Sequence, residues 1–182
     1  MKIFCIGLPR TGTTTICSAF EMLGFSAKHI YETLEISDYE KYDAYADTPI
    51  WVPEFFKKLY NKYPDAKFIY TYRDIEKWMA SIINFKWFAM PNVFNNMATK
   101  LAYEAVFSYP FNKDNWIIDF HKHKDKVDSF FKDKPLLRID ITDAATGEEK
   151  WKKICEFLGV EIPKEEFPNK NTHKMTMILK QP

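Results

Sequence analysis

Short apolar runs alternate with longer segments in which apolar residues recur at helical spacing. The runs at 2–6 and 67–72 predict buried strands, and those at 42–46 and 136–141 predict two more. Residues Ile16, Phe20 and Leu23 give the first helix its apolar face, and Gly24 ends it. The further predicted helices are 50–63, 75–85, 92–108, 114–131 and 148–158.

Strands that alternate with helices predict an α/β fold, in which helices cover both faces of a mostly parallel sheet. At 182 residues, without an internal repeat or linker, we expect a single domain over 1–182. Ligands of such sheets bind beyond the carboxyl ends of the strands. A glycine-rich loop, Asp47 and Arg73 each follow a predicted strand, so we expect all three to converge on one crevice.

Composition narrows the possible partners. The sequence is 46% hydrophobic and 17% aromatic, which excludes a disordered chain. Its net charge of +1 indicates neither a nucleic-acid nor a membrane partner, so an anion site has to be local. Cys5, Cys17 and Cys155 fit neither a disulfide framework nor a metal site. The first apolar run is too short for a signal peptide, and we expect a cytoplasmic protein.

The loop GLPRTGTT, residues 7–14, has the spacing of a phosphate-binding loop. It follows a predicted strand and opens a helix, an arrangement that directs backbone N–H groups and a positive helix terminus at an anion. Thr13, however, stands where nucleoside triphosphatases carry a lysine. The sequence therefore predicts a phosphate site with less charge to neutralise than a triphosphate brings.

Three stretches together resemble the P-loop sulfotransferases that use 3′-phosphoadenosine 5′-phosphosulfate (PAPS). LPRTGTTT resembles that family's 5′-phosphosulfate loop, P-[KR]-[ST]-G-T-[TS], and KFIYTYRDIEKWMASI resembles its 3′-phosphate segment. In YADTP, Asp47 stands two residues before Pro49, where cytosolic members carry a catalytic histidine. The chain is most similar to a divergent branch with aspartate at that position. The match extends from residue 2 to about 85, and more weakly through ICEFLGV and FPNKN.

The resemblance implies PAPS as donor, 3′,5′-bisphosphoadenosine as product, and no metal. It implies that Arg10 stabilises the leaving phosphate and that Arg73 and Ser81 bind the 3′-phosphate. The loop residues implied to hold the 5′-phosphosulfate, besides Arg10, are Thr11, Gly12, Thr13 and Thr14. The alternatives are that Arg10 is an exposed loop arginine, and that Arg73 pairs with Asp74 while Ser81 only packs.

Asp47 is the predicted general base, which relieves the acceptor of its proton as it attacks. We expect burial among Trp51, Phe55 and Trp87 to raise its pKa, since an ordinary aspartate is a weak base. The alternative is that Asp47 only caps a helix beginning near Pro49.

The remaining candidates carry less information. Lys174 and His173 stand where family members close a loop over the nucleotide, although the R-K-G of cytosolic members is missing. Thr15 replaces the family's tryptophan, so adenine has to stack elsewhere. The aromatic stretch at 85–97 predicts either core or a pocket for an aromatic or lipophilic small-molecule acceptor. His121 and His123 are expected on a solvated helix face. The sequence shows no dimerisation signature.

Three functions follow from these features. The leading one is a sulfotransferase that acts on a hydroxyl or amine acceptor. The second is a P-loop kinase for a nucleotide or small molecule, against which stand Thr13 in the lysine position and the lack of an acidic Mg²⁺ ligand after a hydrophobic strand. The third is a non-catalytic nucleotide-binding module, which would bind the bisphosphate without transferring any group.

Overall fold

The computed structural model of the protein describes residues 1–85 and 96–169. The strands are β1 (Ile3–Cys5), β2 (Ala27–His29), β3 (Ala44–Ala46), β4 (Lys67–Thr71) and β5 (Leu137–Ile139). They form one sheet in the order β2-β3-β1-β4-β5, and all four pairings are parallel. The predicted α/β fold with a parallel sheet flanked by helices is confirmed.

Six α-helices surround the sheet within the described ranges. They are α1 (Thr13–Met22), α2 (Pro53–Lys62), α3 (Ile75–Phe85), α4 (Met97–Val106), α5 (Lys113–Phe130) and α6 (Gly147–Leu158), with a 3₁₀ helix at Ile36–Glu40. Pro53 occupies the first turn of α2, where its missing N–H would have no intrahelical partner. None of these helices has the length and apolar character needed to cross a membrane.

Most predicted elements agree with the structure, and the differences have local causes. The predicted helix at 92–108 is observed from Met97, because the Asn96 side chain caps it by accepting hydrogen bonds from the N–H groups of Ala98 and Thr99. The edge strand β2 was missed. Its three residues, Ala27–His29, are half-buried and two are polar, so they carry no apolar run.

The core is divided by the sheet into two layers. Ile3 and Cys5 of β1 face α1 and α6, whereas Phe4 and Ile6 face α2 and α5. A third cluster around Leu8, Trp51 and Trp78 joins α3, α4 and α5 just past the carboxyl end of β1. This third cluster forms an aromatic floor beneath the loop that follows β1.

Candidate active site

Both glycines of the loop between β1 and α1 are required by its packing. A Cβ atom at Gly7 would lie 1.9 Å from Thr71 Oγ1 and 2.4 Å from the Thr71 carbonyl oxygen of β4. Gly12 has a φ of +94°, and a Cβ atom there would lie 2.6 Å from Ile141 Cγ1. The loop is therefore in close contact with the chain segments at the ends of β4 and β5, and a larger residue at either position would force its neighbours to shift.

Side chains of neighbouring elements hold the loop in place. The Thr11 hydroxyl donates to the Leu8 carbonyl at 2.6 Å and lies 2.8 Å from Thr71 Oγ1. Since Thr11 has only one hydroxyl proton, Thr71 is the donor in the second bond. The Trp78 indole N–H of α3 donates to the Pro9 carbonyl at 2.9 Å. These bonds fix the loop backbone before any ligand arrives.

The loop ends at the N-terminus of α1. Gly12 is the N-cap residue and has no side chain to accept hydrogen bonds from the first turn, and that turn contains no acidic residue. A helix N-terminus without a side-chain cap presents N–H donors and a positive partial charge to an anion. This is the arrangement predicted from GLPRTGTT.

Two arginines and a serine lie together on the α3 side of the loop. Arg10 Nε donates to Ser81 Oγ at 3.1 Å, and the Arg10 guanidinium lies 4.3 Å from the centre of the Phe85 ring. Arg73, which follows β4, donates through Nη1 to the Arg10 carbonyl oxygen at 3.2 Å. We call Arg10, Arg73 and Ser81 the basic cluster.

The charge of the basic cluster is not balanced locally. In the described part of the chain neither arginine forms an ion pair, and Arg73 Nε is buried without an acceptor. Burial lowers the pKa of Arg10, and the nearby positive charge of Arg73 lowers it further. Two adjacent guanidinium groups without a carboxylate partner favour an anion between or beside them. The residues therefore fit a ligand that brings a phosphate.

The alternative interpretation of Arg73 as half of a surface pair with Asp74 is wrong. Asp74 instead accepts a hydrogen bond from the N–H group of Lys77 at 3.0 Å, in the first turn of α3. Asp74 thus caps α3, and Arg73 points back to the loop. The predicted convergence of Arg73 with the loop is confirmed.

Asp47 lies on the opposite side of the loop, directly after β3, and is buried with 5% of its surface exposed. Its Oδ2 accepts the Thr13 hydroxyl proton at 2.6 Å and lies 3.4 Å from His29 Nε2. Its Oδ1 accepts from the backbone N–H and the hydroxyl of Thr48, at 2.8 and 3.0 Å. Both carboxylate oxygens are therefore occupied, and the single hydroxyl proton of Thr13 is directed at Asp47.

The expectation that Asp47 has a raised pKa is wrong. Burial by itself raises the pKa, but the hydrogen bond and positive charge of His29, with the hydroxyls of Thr13 and Thr48, outweigh burial and hold the pKa of Asp47 below its usual value. The helix-cap alternative is wrong as well. Helix α2 begins at Pro53 with Val52 as N-cap, five residues beyond Asp47.

His29 is the site residue that the sequence analysis missed. It ends the edge strand β2, and its Nε2 lies 3.2 Å from Thr13 Oγ1 and 3.2 Å from Thr14 Oγ1. A signal existed, since AKHIY follows the Gly24 that ends the first helix and precedes an aromatic segment. That signal was too weak to identify a strand. We call His29, Asp47, Thr13 and Thr14 the histidine–aspartate cluster.

Other predicted residues are placed differently or lie outside the described ranges. His121 is exposed, but His123 is buried, and its Nε2 donates to the Trp51 carbonyl oxygen at 2.7 Å. The expectation that both occupy a solvated face is therefore wrong for His123. Trp87, His173, Lys174 and most of the stretch at 85–97 lie outside the described residues.

Comparison with known proteins agrees with this geometry. The family model described as a sulfotransferase domain matches residues 2–39 and 37–176. The chain belongs to the sulfotransferase domain family. It is also 24% identical, over 236 aligned positions covering 97% of this chain and 85% of the other, to the Ava biosynthesis cluster protein M of Aspergillus versicolor. Family membership supports a transferase enzyme, and the loop, the basic cluster and the histidine–aspartate cluster lie within the matched residues.

Proposed function

We propose that this sulfotransferase-domain protein moves a sulfuryl group from PAPS to a hydroxyl or amine of a small-molecule acceptor. The observation that carries the proposal is the basic cluster: Arg10 and Arg73 lie beside a phosphate-type loop without an ion-pair partner among the described residues. A donor with separate 5′ and 3′ phosphate groups supplies two anions to such a site. Family membership supports the sulfuryl chemistry.

The loop and the basic cluster divide the binding of the donor between them. The backbone N–H groups of 12–14, at the N-terminus of α1, hold the 5′-phosphosulfate, since the N–H of Thr11 already donates to the Leu8 carbonyl oxygen. Arg73, whose Nε lacks an acceptor, binds the 3′-phosphate together with Ser81. Arg10 belongs to the loop, and its Nε donates to Ser81 in this structure. Its side chain therefore extends from the 5′-phosphosulfate subsite to the 3′-phosphate subsite.

The transfer needs the acceptor to lose a proton and the donor phosphate to gain charge. The acceptor oxygen or nitrogen forms the new bond to sulfur, while the bond from sulfur to the bridging oxygen breaks and its electron pair leaves with the 5′-phosphate. Arg10 stabilises that charge, an effect commonly worth about 3–4 kcal/mol per donor. Asp47 acts on the acceptor, which has to lose a proton. Because Asp47 Oδ2 lies 3.4 Å from His29 Nε2, the general base consists of these two residues together and not of the Asp47 carboxylate alone.

Binding of 3′,5′-bisphosphoadenosine, measured by calorimetry without metal, tests the proposal. We expect Arg73→Ala to weaken binding roughly 10- to 100-fold, because charge-assisted hydrogen bonds contribute about 1.5–3 kcal/mol. Arg138→Ala is the matched control, since Arg138 is bound to Asp128 on the surface and lies outside the site. Equal affinity of wild type and Arg73→Ala would remove the 3′-phosphate assignment.

One observation favours the kinase as a second candidate. Asp47 directly follows a buried strand, β3, which pairs with β1. The argument from sequence that no acidic Mg²⁺ ligand follows a hydrophobic strand is therefore wrong. An aspartate there is a position for a Mg²⁺ ligand in P-loop enzymes. Calorimetry with Mg-ATP separates the two: the kinase predicts tight, metal-dependent ATP binding, whereas the sulfotransferase predicts metal-independent binding of the bisphosphate. A non-catalytic module predicts bisphosphate binding without sulfuryl release.

A further inference from the structure

His29 is oriented by the residues on one side of its ring only. Its Nε2 faces Asp47 Oδ2 at 3.4 Å and the hydroxyls of Thr13 and Thr14 at 3.2 Å each. Its Nδ1 makes no hydrogen bond to any residue that the structure describes, and 27% of the side chain is exposed. One nitrogen is thus held by the residues of the site, while the other has no hydrogen-bond partner among the described residues of a partly exposed side chain.

The partners of Nε2 determine which nitrogen carries the proton. Asp47 Oδ2 is an acceptor only, and the Thr13 proton is already donated to it, so Thr13 Oγ1 offers its lone pairs to His29. The Thr14 hydroxyl can donate or accept, but a lone pair on Nε2 would still be repelled by the Asp47 carboxylate and by the lone pairs of Thr13 Oγ1. These two acceptors favour a proton on Nε2, which in the neutral ring leaves the lone pair on Nδ1.

Resting on the proposed sulfuryl transfer, we infer that His29 Nδ1 is the atom that takes the acceptor's proton and that Asp47 is a positioning residue that orients the ring. As the acceptor oxygen or nitrogen bonds to sulfur, its proton passes to Nδ1. The electron pair of the broken sulfur–oxygen bond leaves with the 5′-phosphate of the donor. The imidazolium that forms lies against the Asp47 carboxylate, which stabilises it.

Asp47 is poorly placed to take the proton itself. It is 5% exposed, and its two oxygens already accept hydrogen bonds from Thr13 and Thr48, so an acceptor molecule would have to displace a buried partner. The charged group that faces His29 from the neighbouring strand β3 is Asp47, and α1 contributes only the two threonine hydroxyls. Beyond this cluster, Asp47 also interacts electrostatically with Arg10.

The tautomer can be measured without any substrate. Long-range ¹H–¹⁵N spectra of histidine-labelled protein, with the His29 signals assigned by their loss in His29→Gln, should show the neutral ring protonated at Nε2. In Asp47→Asn the same signals should shift, because the orienting charge is gone. A neutral His29 protonated at Nδ1 overturns the inference, since that nitrogen would have no lone pair to offer.

Release of sulfate from PAPS, with water as acceptor, gives a catalytic readout that needs no identified acceptor. We expect His29→Ala to release sulfate at least about 100-fold more slowly than wild type, the usual scale for general-base loss. It should still bind 3′,5′-bisphosphoadenosine within about threefold, and added imidazole should restore part of the rate, increasingly as pH rises. His121→Ala removes an exposed histidine side chain and should release sulfate at the wild-type rate with and without imidazole.

The other outcomes separate failure of this inference from failure of the proposed function. A wild-type rate in His29→Ala, or loss of both release and bisphosphate binding that imidazole does not reverse, overturns the role of His29 and leaves the donor assignment intact. Bisphosphate binding by wild type without sulfate release shows that water does not serve as an acceptor; the donor assignment then stands, and the tautomer of His29 alone decides the inference. Absence of bisphosphate binding by wild type overturns the proposed function, and the inference with it.

Discussion

Substitution of Gly12 by alanine tests how tightly the phosphate-type loop is held by the segment after β5. Gly12 has a φ of +94°, and its added Cβ would lie 2.6 Å from Ile141 Cγ1 and 2.7 Å from Ile141 Cδ1. Two costs therefore add. The left-handed backbone costs an L-residue about 1–2 kcal/mol, and crowding in a packed core costs about 1–3 kcal/mol more. We expect Gly12→Ala to lower the free energy of unfolding by about 2–5 kcal/mol.

Gly24 provides the matched control for the backbone contribution alone. Its φ is +86°, but nothing lies within 4 Å of an added Cβ atom. Gly24→Ala should therefore cost about 1–2 kcal/mol, which leaves the crowding at Gly12 as the difference between the two variants. Urea unfolding followed by fluorescence of the buried tryptophans gives both values on one scale.

A double-mutant cycle then assigns the crowding to one side chain. Ile141→Ala removes both atoms that an added Cβ would meet, so Gly12→Ala should cost no more in that background than Gly24→Ala does in wild type. The coupling free energy should be about 1–3 kcal/mol. Equal costs for Gly12→Ala and Gly24→Ala, or a coupling near zero, would show that Ile141 does not hold the loop.

Two further predictions concern stability away from the loop. Burial lowers the pKa of His123 to about 4 from its ordinary 6.5, so protonation favours the unfolded chain. The free energy of unfolding should therefore fall by about 3 kcal/mol as the pH drops from 6.5 to below 4. Urea unfolding across this pH range should show the loss in His121→Gln but not in His123→Gln. Thr146→Ala should lower the free energy of unfolding by about 1 kcal/mol, because the exposed Thr146 hydroxyl accepts a hydrogen bond from the N–H group of Glu149 in the capping box of α6. An unchanged midpoint of urea unfolding would contradict this.

Local patterns predicted most of the fold. The bounds of α3 agree with the predicted 75–85, because apolar spacing, the strand before it and the turn at Arg73-Asp74 all lie within a few residues. Gly7 and Gly12 were likewise recognisable from spacing, and their packing against Thr71 and Ile141 explains why a larger residue would be destabilising there. The strand β2 was missed because a three-residue edge strand takes its stability from pairing with β3, and not from its own composition.

The chemistry of the site depended on distant parts of the chain. The sign of the pKa shift of Asp47 followed from His29, 18 positions earlier, whose hydrogen bond and charge opposed burial. His123 lies next to exposed lysines in sequence, yet it is buried, because α5 places its ring 6.0 Å from the Tyr70 ring and its Nε2 donates to the Trp51 carbonyl oxygen. Neither environment can be read from neighbouring residues.

The amino-acid sequence alone determined the order of the helices and of every strand except β2, the phosphate-type loop and the residues that follow β1, β3 and β4, since these depend on interactions within a few residues. Only the tertiary structure decided that Arg10 meets Ser81, that Arg73 lacks an acidic partner among the described residues, and that Asp47 is enclosed by Thr13 and His29. The physical reason is that hydrogen bonding and desolvation depend on which side chains come within about 3 Å, and parallel strand pairing brings together residues that are tens of positions apart.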